Sequence, residues 1–154
     1  FGVVPQTVSL FSGTVRDNIT IGVDEFDDDF LLRVSEVSGV MSWLAKTPNG
    51  FDYKLSEGGK ELSGGQRQTI AIARALIRKP HYIILDEPTA NMDTATEQLV
   101  LKNLAEYFTD ETLLIVTHRM APLSLVQRIV VLDAGRVNVD GPKEKILERL
   151  KGAA

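Results

Sequence analysis

The sequence predicts an α/β protein with a parallel β-sheet, and three observations support this prediction. Residues 82–86 and 112–118 are near-continuous apolar runs, which are typical of strands covered on both faces. Residues 128–133 form a third run of the same kind. Between the first two runs, residues 93–108 have the apolar spacing of a helix. A strand, a helix and a strand in this order predict parallel pairing through a right-handed crossover.

The residues before these runs predict one short strand followed by mainly helical structure. The first strand is apolar and ends at Pro5. The second helical segment begins among three aspartates, whose charge suits a helix N-terminus, and ends at Gly39. The predicted helical segments are 14–20, 27–39, 40–50 and 63–78.

The last part of the sequence predicts a hairpin and a closing helix. Residues 128–141 are expected to turn around Ala134 and Gly135. Pro142 is expected at the first position of the amphipathic helix that follows. An N–H group at that position has no partner within the helix, so the helix loses no hydrogen bond when proline, which lacks an N–H, stands there.

Size and composition describe one ordinary soluble domain that is long enough to bury a core. The chain has 154 residues, of which 44% are hydrophobic and 25% charged, and its formal net charge is −4. This mild acidity argues against a protein that grips nucleic acid through its phosphates. The absence of cysteine fits a cytosolic protein. No apolar run approaches the roughly 18 residues that cross a bilayer, so we expect membrane contact only through a partner.

The string LSGGQ, residues 62–66, places two glycines at the start of a predicted helix. Ser63 and Gln66 have the spacing of a capping box, which satisfies two free amides of a helix start. A capping box does not require Gly64 and Gly65, whose missing side chains would let an anion approach the positive end of the helix dipole. The string fits both a plain cap and a phosphate site, and it favours the phosphate site.

Two carboxylates, Asp86 and Glu87, stand at the end of the first apolar run. In open parallel sheets, ligands collect at the carboxyl ends of the strands. A carboxylate there can hold Mg²⁺, and its neighbour can orient or deprotonate an attacking water. The same two residues also fit an acidic turn that Pro88 ends.

Three further residues hold comparable positions. His118 ends the second apolar run and Gln6 follows the first strand, although most such residues belong to ordinary loops. Asp93 fits the N-cap of the next helix, and Thr94 with Glu97 offers a competing capping box. Taken one at a time, these residues do not decide between a structural and a functional role.

The order of these motifs resembles the nucleotide-binding domain of an ATP-binding cassette (ABC) protein. The strand-end glutamine, LSGGQ, the acidic pair, the next aspartate and the strand-end histidine occur in one fixed order between residues 3 and 150. The resemblance implies a P-loop NTPase fold, with a RecA-like ABC ATPase core, a parallel sheet and an α-helical signature subdomain. It also implies ATP and Mg²⁺ as cofactors.

The resemblance implies a role for each motif residue. Leu62 to Gln66 match the nucleotide-binding signature motif, in which Ser63, Gly64 and Gly65 contact the γ-phosphate of ATP held by the opposite subunit. Asp86 ends the Walker B strand and binds Mg²⁺ through water.

The remaining roles belong to single residues. Glu87 matches the catalytic base and His118 the switch histidine. Gln6 matches the Q-loop glutamine, which senses Mg²⁺ and water and couples the site to the transport domains. Asp93 matches the D-loop aspartate, which communicates across the dimer.

The resemblance also predicts the organisation of the chain and its partners. Residues 1–13 would hold the Q-loop strand and loop, residues 14–62 the helical subdomain, and residues 63–154 the C-terminal part of the ATPase core. We expect a second nucleotide-binding domain and the transmembrane domain of the same exporter as partners, and no nucleic acid. The expected location is the cytoplasmic face of the plasma membrane.

The phosphate-binding loop of this class, G-x-x-x-x-G-K-[ST], does not occur in the sequence. At Gly59-Lys60, Glu61 follows where Ser or Thr is required, and Lys54 replaces the first glycine. Because Phe1 already stands in a strand, we expect a cut upstream that removes the Walker A strand and loop. The fragment is therefore expected to be inactive. The resemblance places the Walker A strand in the middle of the core sheet, so its loss is expected to bare apolar faces and unpaired edges. We expect the fragment to self-associate, with strand exchange as one route.

Residues 3–19 resemble the Q-loop region of ABC exporters. Three further segments, 49–59, 116–137 and 140–147, together resemble most of all the bacterial type I secretion ATPases that export proteins. The segment before the signature departs from the exporter pattern at Ser56 and Gly58. Two alternatives come from other classes: a soluble ABC-type ATPase acting on nucleic acid, and a catalytically silent cassette that serves as a binding module. An ATPase that acts on nucleic acid should carry coiled-coil heptads or basic surfaces. A silent cassette usually loses at least one motif residue, whereas Glu87, His118 and LSGGQ are intact in this sequence.

Overall fold

The computed structural model describes residues 1–152, which form seven strands and six α-helices. The strands are β1 (Gly2–Val4), β2 (Gly13–Thr14), β3 (Lys54–Leu55), β4 (Tyr82–Asp86), β5 (Thr112–Val116), β6 (Arg128–Asp133) and β7 (Arg136–Pro142). The helices are α1 (Val15–Thr20), α2 (Asp28–Val37), α3 (Met41–Leu44), α4 (Gly64–Leu76), α5 (Thr94–Tyr107) and α6 (Lys143–Gly152). None of these helices is long and apolar enough to cross a membrane. Residues 153 and 154, which the predicted core segment includes, lie outside the described residues.

Strands β1, β4 and β5 form a parallel sheet with β4 in the centre, as the order of strand, helix and strand predicts. The register pairs Val4 with Leu85 and Leu85 with Ile115, so the three strands end at one edge. Helix α5 lies between β4 and β5 in the chain and forms the crossover. The predicted α/β fold with a parallel sheet is confirmed.

Helix α4 lies at the centre of the hydrophobic core. Its residues Ile70, Ile72 and Leu76 are at most 1% exposed, and the helix packs against β1, α1 and α2. The helical segment before it and the sheet therefore share one core. The predicted division into 14–62 and 63–154 stays a prediction.

Within residues 1–152 the sheet is covered on one face only. The apolar runs are typical of strands covered on both faces, and the loss of an upstream strand is expected to bare an apolar face. Ile83 and Leu85 are 1% exposed, whereas Val3, Leu114 and Val116 on the opposite face are 53%, 56% and 52% exposed. An apolar run shows that both faces of a strand are hydrophobic, but it does not say which element supplies the cover. Within residues 1–152 the second face stays largely open.

The third apolar run does not join the parallel sheet. Strand β6 pairs antiparallel with β7, and the chain turns at Ala134 and Gly135 with φ angles of 46° and 75°, as predicted. Pro142 pairs with Arg128 as the last residue of β7, so α6 begins at Lys143. The prediction that placed Pro142 at the first helical position is wrong by one residue.

Candidate functional site

Four polar side chains lie where the parallel strands end. Gln6 follows β1 by two residues, Asp86 ends β4 and precedes Glu87, and His118 follows β5 by two residues. Because the register aligns the ends of the three strands, the structure brings these residues to one edge of the sheet. Gln6 is exposed and Asp86 is half-buried.

Glu87 is held through both its backbone and its carboxylate. Its φ angle of 47° lies in the left-handed region that non-glycine residues rarely adopt, and its amide donates to the Val116 carbonyl over 2.9 Å. Oε1 lies 2.6 Å from Nδ1 of His118 and accepts from the His118 amide over 3.0 Å. Oε2 accepts from the Thr117 hydroxyl over 3.3 Å. The Glu87 side chain is 9% exposed, whereas the His118 side chain is 80% exposed.

These contacts keep the Glu87 carboxylate ionised. Burial opposes ionisation, but hydrogen bonds from the ring and amide of His118 and from Thr117 outweigh it, so the pKa of Glu87 lies below its ordinary value of 4.5. The contacts fix the carboxylate at the edge of the sheet, where it could orient or deprotonate a water molecule.

The start of α4 has the predicted capping box. The Gln66 amide donates to Oγ of Ser63 over 3.2 Å, and the Ser63 amide donates to Oε1 of Gln66 over 2.8 Å. The side chain of Leu62 lies in the core and is 6% exposed. Only the backbone of Leu62 is therefore available to a ligand.

Gly64 and Gly65 have a packing role that the sequence did not reveal. A Cβ atom on Gly64 would lie 2.8 Å from Cβ of Asn91, and one on Gly65 would lie 2.9 Å from the Asn91 carbonyl oxygen. Any side chain here would push α4 away from the turn after β4. The same helix start can still receive an anion, because within residues 1–152 neither glycine amide has a hydrogen-bond acceptor.

Two buried polar side chains near the site were not predicted. Gln68 is 0% exposed, and Glu97 is 4% exposed. Glu97 accepts hydrogen bonds from the Thr89 hydroxyl over 2.6 Å and from Arg119 over 2.8 Å, which ties α5 to the segments after β4 and β5. Both residues lie in line with apolar residues of their helices, and a polar residue in an apolar stripe is the signal that could have found them.

Asp93 is the N-cap of α5. The hydroxyl and the amide of Thr96 donate to its carboxylate over 2.7 and 3.0 Å, and these bonds lower the pKa of Asp93 below 3.8. The competing capping box of Thr94 and Glu97 does not form, because Glu97 is buried against Thr89. Asp93 itself is exposed.

The described residues offer few ligands to a metal ion. They contain no group of three or more histidine, cysteine, aspartate or glutamate side chains that could hold a metal. Asp86 and Gln6 supply one carboxylate and one amide oxygen at the edge of the sheet. Such a sparse set fits Mg²⁺, which keeps several waters and takes other ligands from substrate phosphates.

Comparisons with known proteins identify the family of this chain. A sequence model of the ABC transporter family matches residues 1–90, more than half of the chain. The ATP-dependent lipid A-core flippase of Desulfotalea psychrophila is 38% identical over 145 residues, covering 94% of this chain and 25% of the flippase. The glutathione/L-cysteine transport system ATP-binding/permease protein CydC of Escherichia coli is 40% identical over 147 residues, covering 96% of this chain and 25% of CydC.

A solved structure shows the same fold. A bacterial Atm1-family ABC exporter with ATP bound matches with a TM-score of 0.88 and 32% identity over 99% of this chain and 28% of that chain. This chain spans about a quarter of the length of the flippase and of CydC. The agreement of sequence model, relatives and structure shows an ABC ATPase fold, and the chain belongs to the ABC transporter family.

Proposed function

We propose that this chain is part of the nucleotide-binding domain of an ABC exporter, which couples ATP binding and hydrolysis at a head-to-tail dimer to export across a membrane. The observation that supports this most is the contact of Glu87 with His118, 2.6 Å apart at the edge of the parallel sheet. A carboxylate held by a neighbouring histidine, beside a second acid at a strand end, is suited to positioning water for hydrolysis.

ATP with Mg²⁺ would supply the phosphoryl group, whose transfer depends on positioning and charge neutralisation. Asp86 and Gln6 are the residues that would hold the metal. Glu87 would orient the attacking water, and His118 would keep the Glu87 carboxylate in place. Because the pKa of Glu87 is lowered, its carboxylate stays charged near neutral pH.

The other half of the site would come from a second nucleotide-binding domain. Ser63, Gly64 and Gly65 would offer their amides and a hydroxyl to the γ-phosphate held by that domain, and Asp93 would lie at the dimer contact. The sequence contains no G-x-x-x-x-G-K-[ST] loop. The 154 residues alone are therefore expected to show no ATP turnover.

The proposed test is ATP turnover by the full-length protein. Glu87→Gln is expected to lower kcat by roughly 100-fold or more, because it removes the charge that orients water. Glu106→Gln is the matched control, since it makes the same change on an exposed part of α5. Equal turnover in both variants contradicts the proposal. Tight DNA binding that weakens with salt would favour a nucleic-acid ATPase instead.

We further propose that this chain works with a transmembrane domain of the same exporter and lies at the cytoplasmic face of the plasma membrane. We also propose that the exporter transports protein. Support for protein cargo is the resemblance of residues 49–59 and 116–137 to type I secretion ATPases. Relatives are named for lipid A-core and for glutathione and L-cysteine, so the cargo needs its own test. Cells carrying Glu87→Gln should lose a protein from the culture medium. Unchanged secreted proteins with altered lipid or thiol export would contradict this.

A further inference from the structure

We propose that Gln68 is a positioning residue that ties the start of α4 to the turn carrying Glu87. Its side chain makes the placement of Glu87 depend on the placement of the helix start. Under the proposed function, on which this inference rests, the helix start faces nucleotide of the opposite subunit and Glu87 serves its own subunit. Gln68 would then couple the two sites of the dimer.

Gln68 uses both ends of its amide on the same turn. Nε2 donates to the Glu87 carbonyl over 2.7 Å, and Oε1 accepts from the Asn91 amide over 3.2 Å. The side chain is fully buried, so no water competes for either bond. A buried amide is costly unless its bonds are made, and both bonds of Gln68 span the turn from Glu87 to Asn91.

The Glu87 backbone needs such support. A φ angle of 47° persists in a non-glycine residue only where the surroundings hold it. The amide of Glu87 is held by Val116, and its carbonyl accepts from Gln68 and, over 3.2 Å, from the Ala90 amide. The hydrogen bond that Gln68 donates to the Glu87 carbonyl links the backbone of Glu87 to α4.

The close approach of the α4 backbone to the turn completes the connection between them. A Cβ atom added to Gly64 or Gly65 would lie within 2.9 Å of Asn91, so the absence of side chains at both glycines lets α4 lie this close to the turn and leaves little room for a closer approach. The hydrogen bonds of Gln68 resist movement in the opposite direction, because withdrawal of α4 would stretch them. We therefore expect helix and turn to move together.

The test compares two substitutions at Gln68 in the full-length protein. Gln68→Glu keeps the shape and the bond from Asn91 but places an oxygen against the Glu87 carbonyl. Gln68→Met fills the space and makes neither bond. Both are expected to lower kcat about 10- to 100-fold while KM for ATP changes less than about threefold, because Gln68 positions Glu87 and contacts no nucleotide. Gln98→Glu and Gln98→Met, at an exposed position of α5, are matched controls.

Turnover is divided by the fraction of protein that binds nucleotide in an equilibrium titration, so that unfolding cannot imitate a loss of positioning. If both variants keep the unmodified kcat after this correction, or if neither binds nucleotide, the positioning role is wrong. If the unmodified full-length protein has no ATP turnover, the proposed function itself fails, and this inference with it. Active unmodified protein with unaffected Gln68 variants overturns this inference alone.

Discussion

The two faces of the parallel sheet differ sharply, although the same three strands form both. On one face Ile83 and Leu85 pack against the core and are 1% exposed, while on the other Leu114 and Val116 are more than half exposed. Residues of both faces are apolar, so hydrophobicity does not distinguish them. The covered face shares one core with α4 and α5, the helices that begin beside the candidate site. The open face is apolar and exposed, as is typical of a surface that another polypeptide covers.

The largest effect is expected from a leucine on the covered face. Leu85→Ala should lower the free energy of unfolding by about 2–5 kcal/mol, because it leaves a cavity in the hydrophobic core. Leu114→Ala removes the same atoms from the open face and should cost only about 0.5 kcal/mol. Urea denaturation of the 154-residue chain measures both values, at a concentration low enough for light scattering to show only the monomer. Equal losses would show that the open face is buried in solution.

The next effect is expected from the buried pair beside the covered face. Glu97→Ala would leave the Thr89 hydroxyl and Arg119 without their acceptor and should lower the free energy of unfolding by about 2–3 kcal/mol. Glu106→Ala is the control, because its pair with Lys102 is exposed and 3.9 Å long and should contribute at most about 0.5 kcal/mol. Denaturation curves that shift equally for the two variants would contradict this.

Local patterns in the sequence predicted the elements but not what surrounds them. The capping box at Ser63 and the turn at Ala134 depend on residues a few positions apart, so the sequence contains the information needed to predict them. Whether Leu114 or Ile115 faces the core depends on elements distant in the chain. Both residues look alike within one apolar run, so the run does not tell which of them this chain covers.

The candidate site shows the same limit. That Glu87 and His118 lie at one edge follows from parallel strands, whose carboxyl ends share an edge. The left-handed backbone of Glu87 and the two bonds of Gln68 arise from the close approach of α4 to a turn about twenty residues away. No pattern over neighbouring residues encodes such an approach, so these features could not be predicted.

The open face should make the 154-residue chain self-associate at micromolar concentration, in keeping with the expectation from the sequence. Replacing Leu114 and Val116 together by threonine should shift the mass measured by light scattering toward the monomer, because each change removes exposed apolar surface. Val137→Thr on β7, where the side chain is 62% exposed, is the control outside the sheet. A monomeric unmodified chain would count against association through this face.

The smallest effect is expected at the Arg128–Asp140 pair of the exposed hairpin. Nε and Nη2 of Arg128 each donate to a carboxylate oxygen of Asp140 over 2.7 Å, and these bonds lower the pKa of Asp140 below 3.8. Because the folded-state pKa is depressed, the stabilisation is present above the unfolded value and is lost as pH falls through the folded value. Asp140→Asn should therefore destabilise slightly at neutral pH, less in high salt, and not at all once Asp140 is protonated. Urea denaturation at a series of pH values from about 7 downward measures this, and a difference that does not shrink as pH falls would mean that the pair does not act through charge.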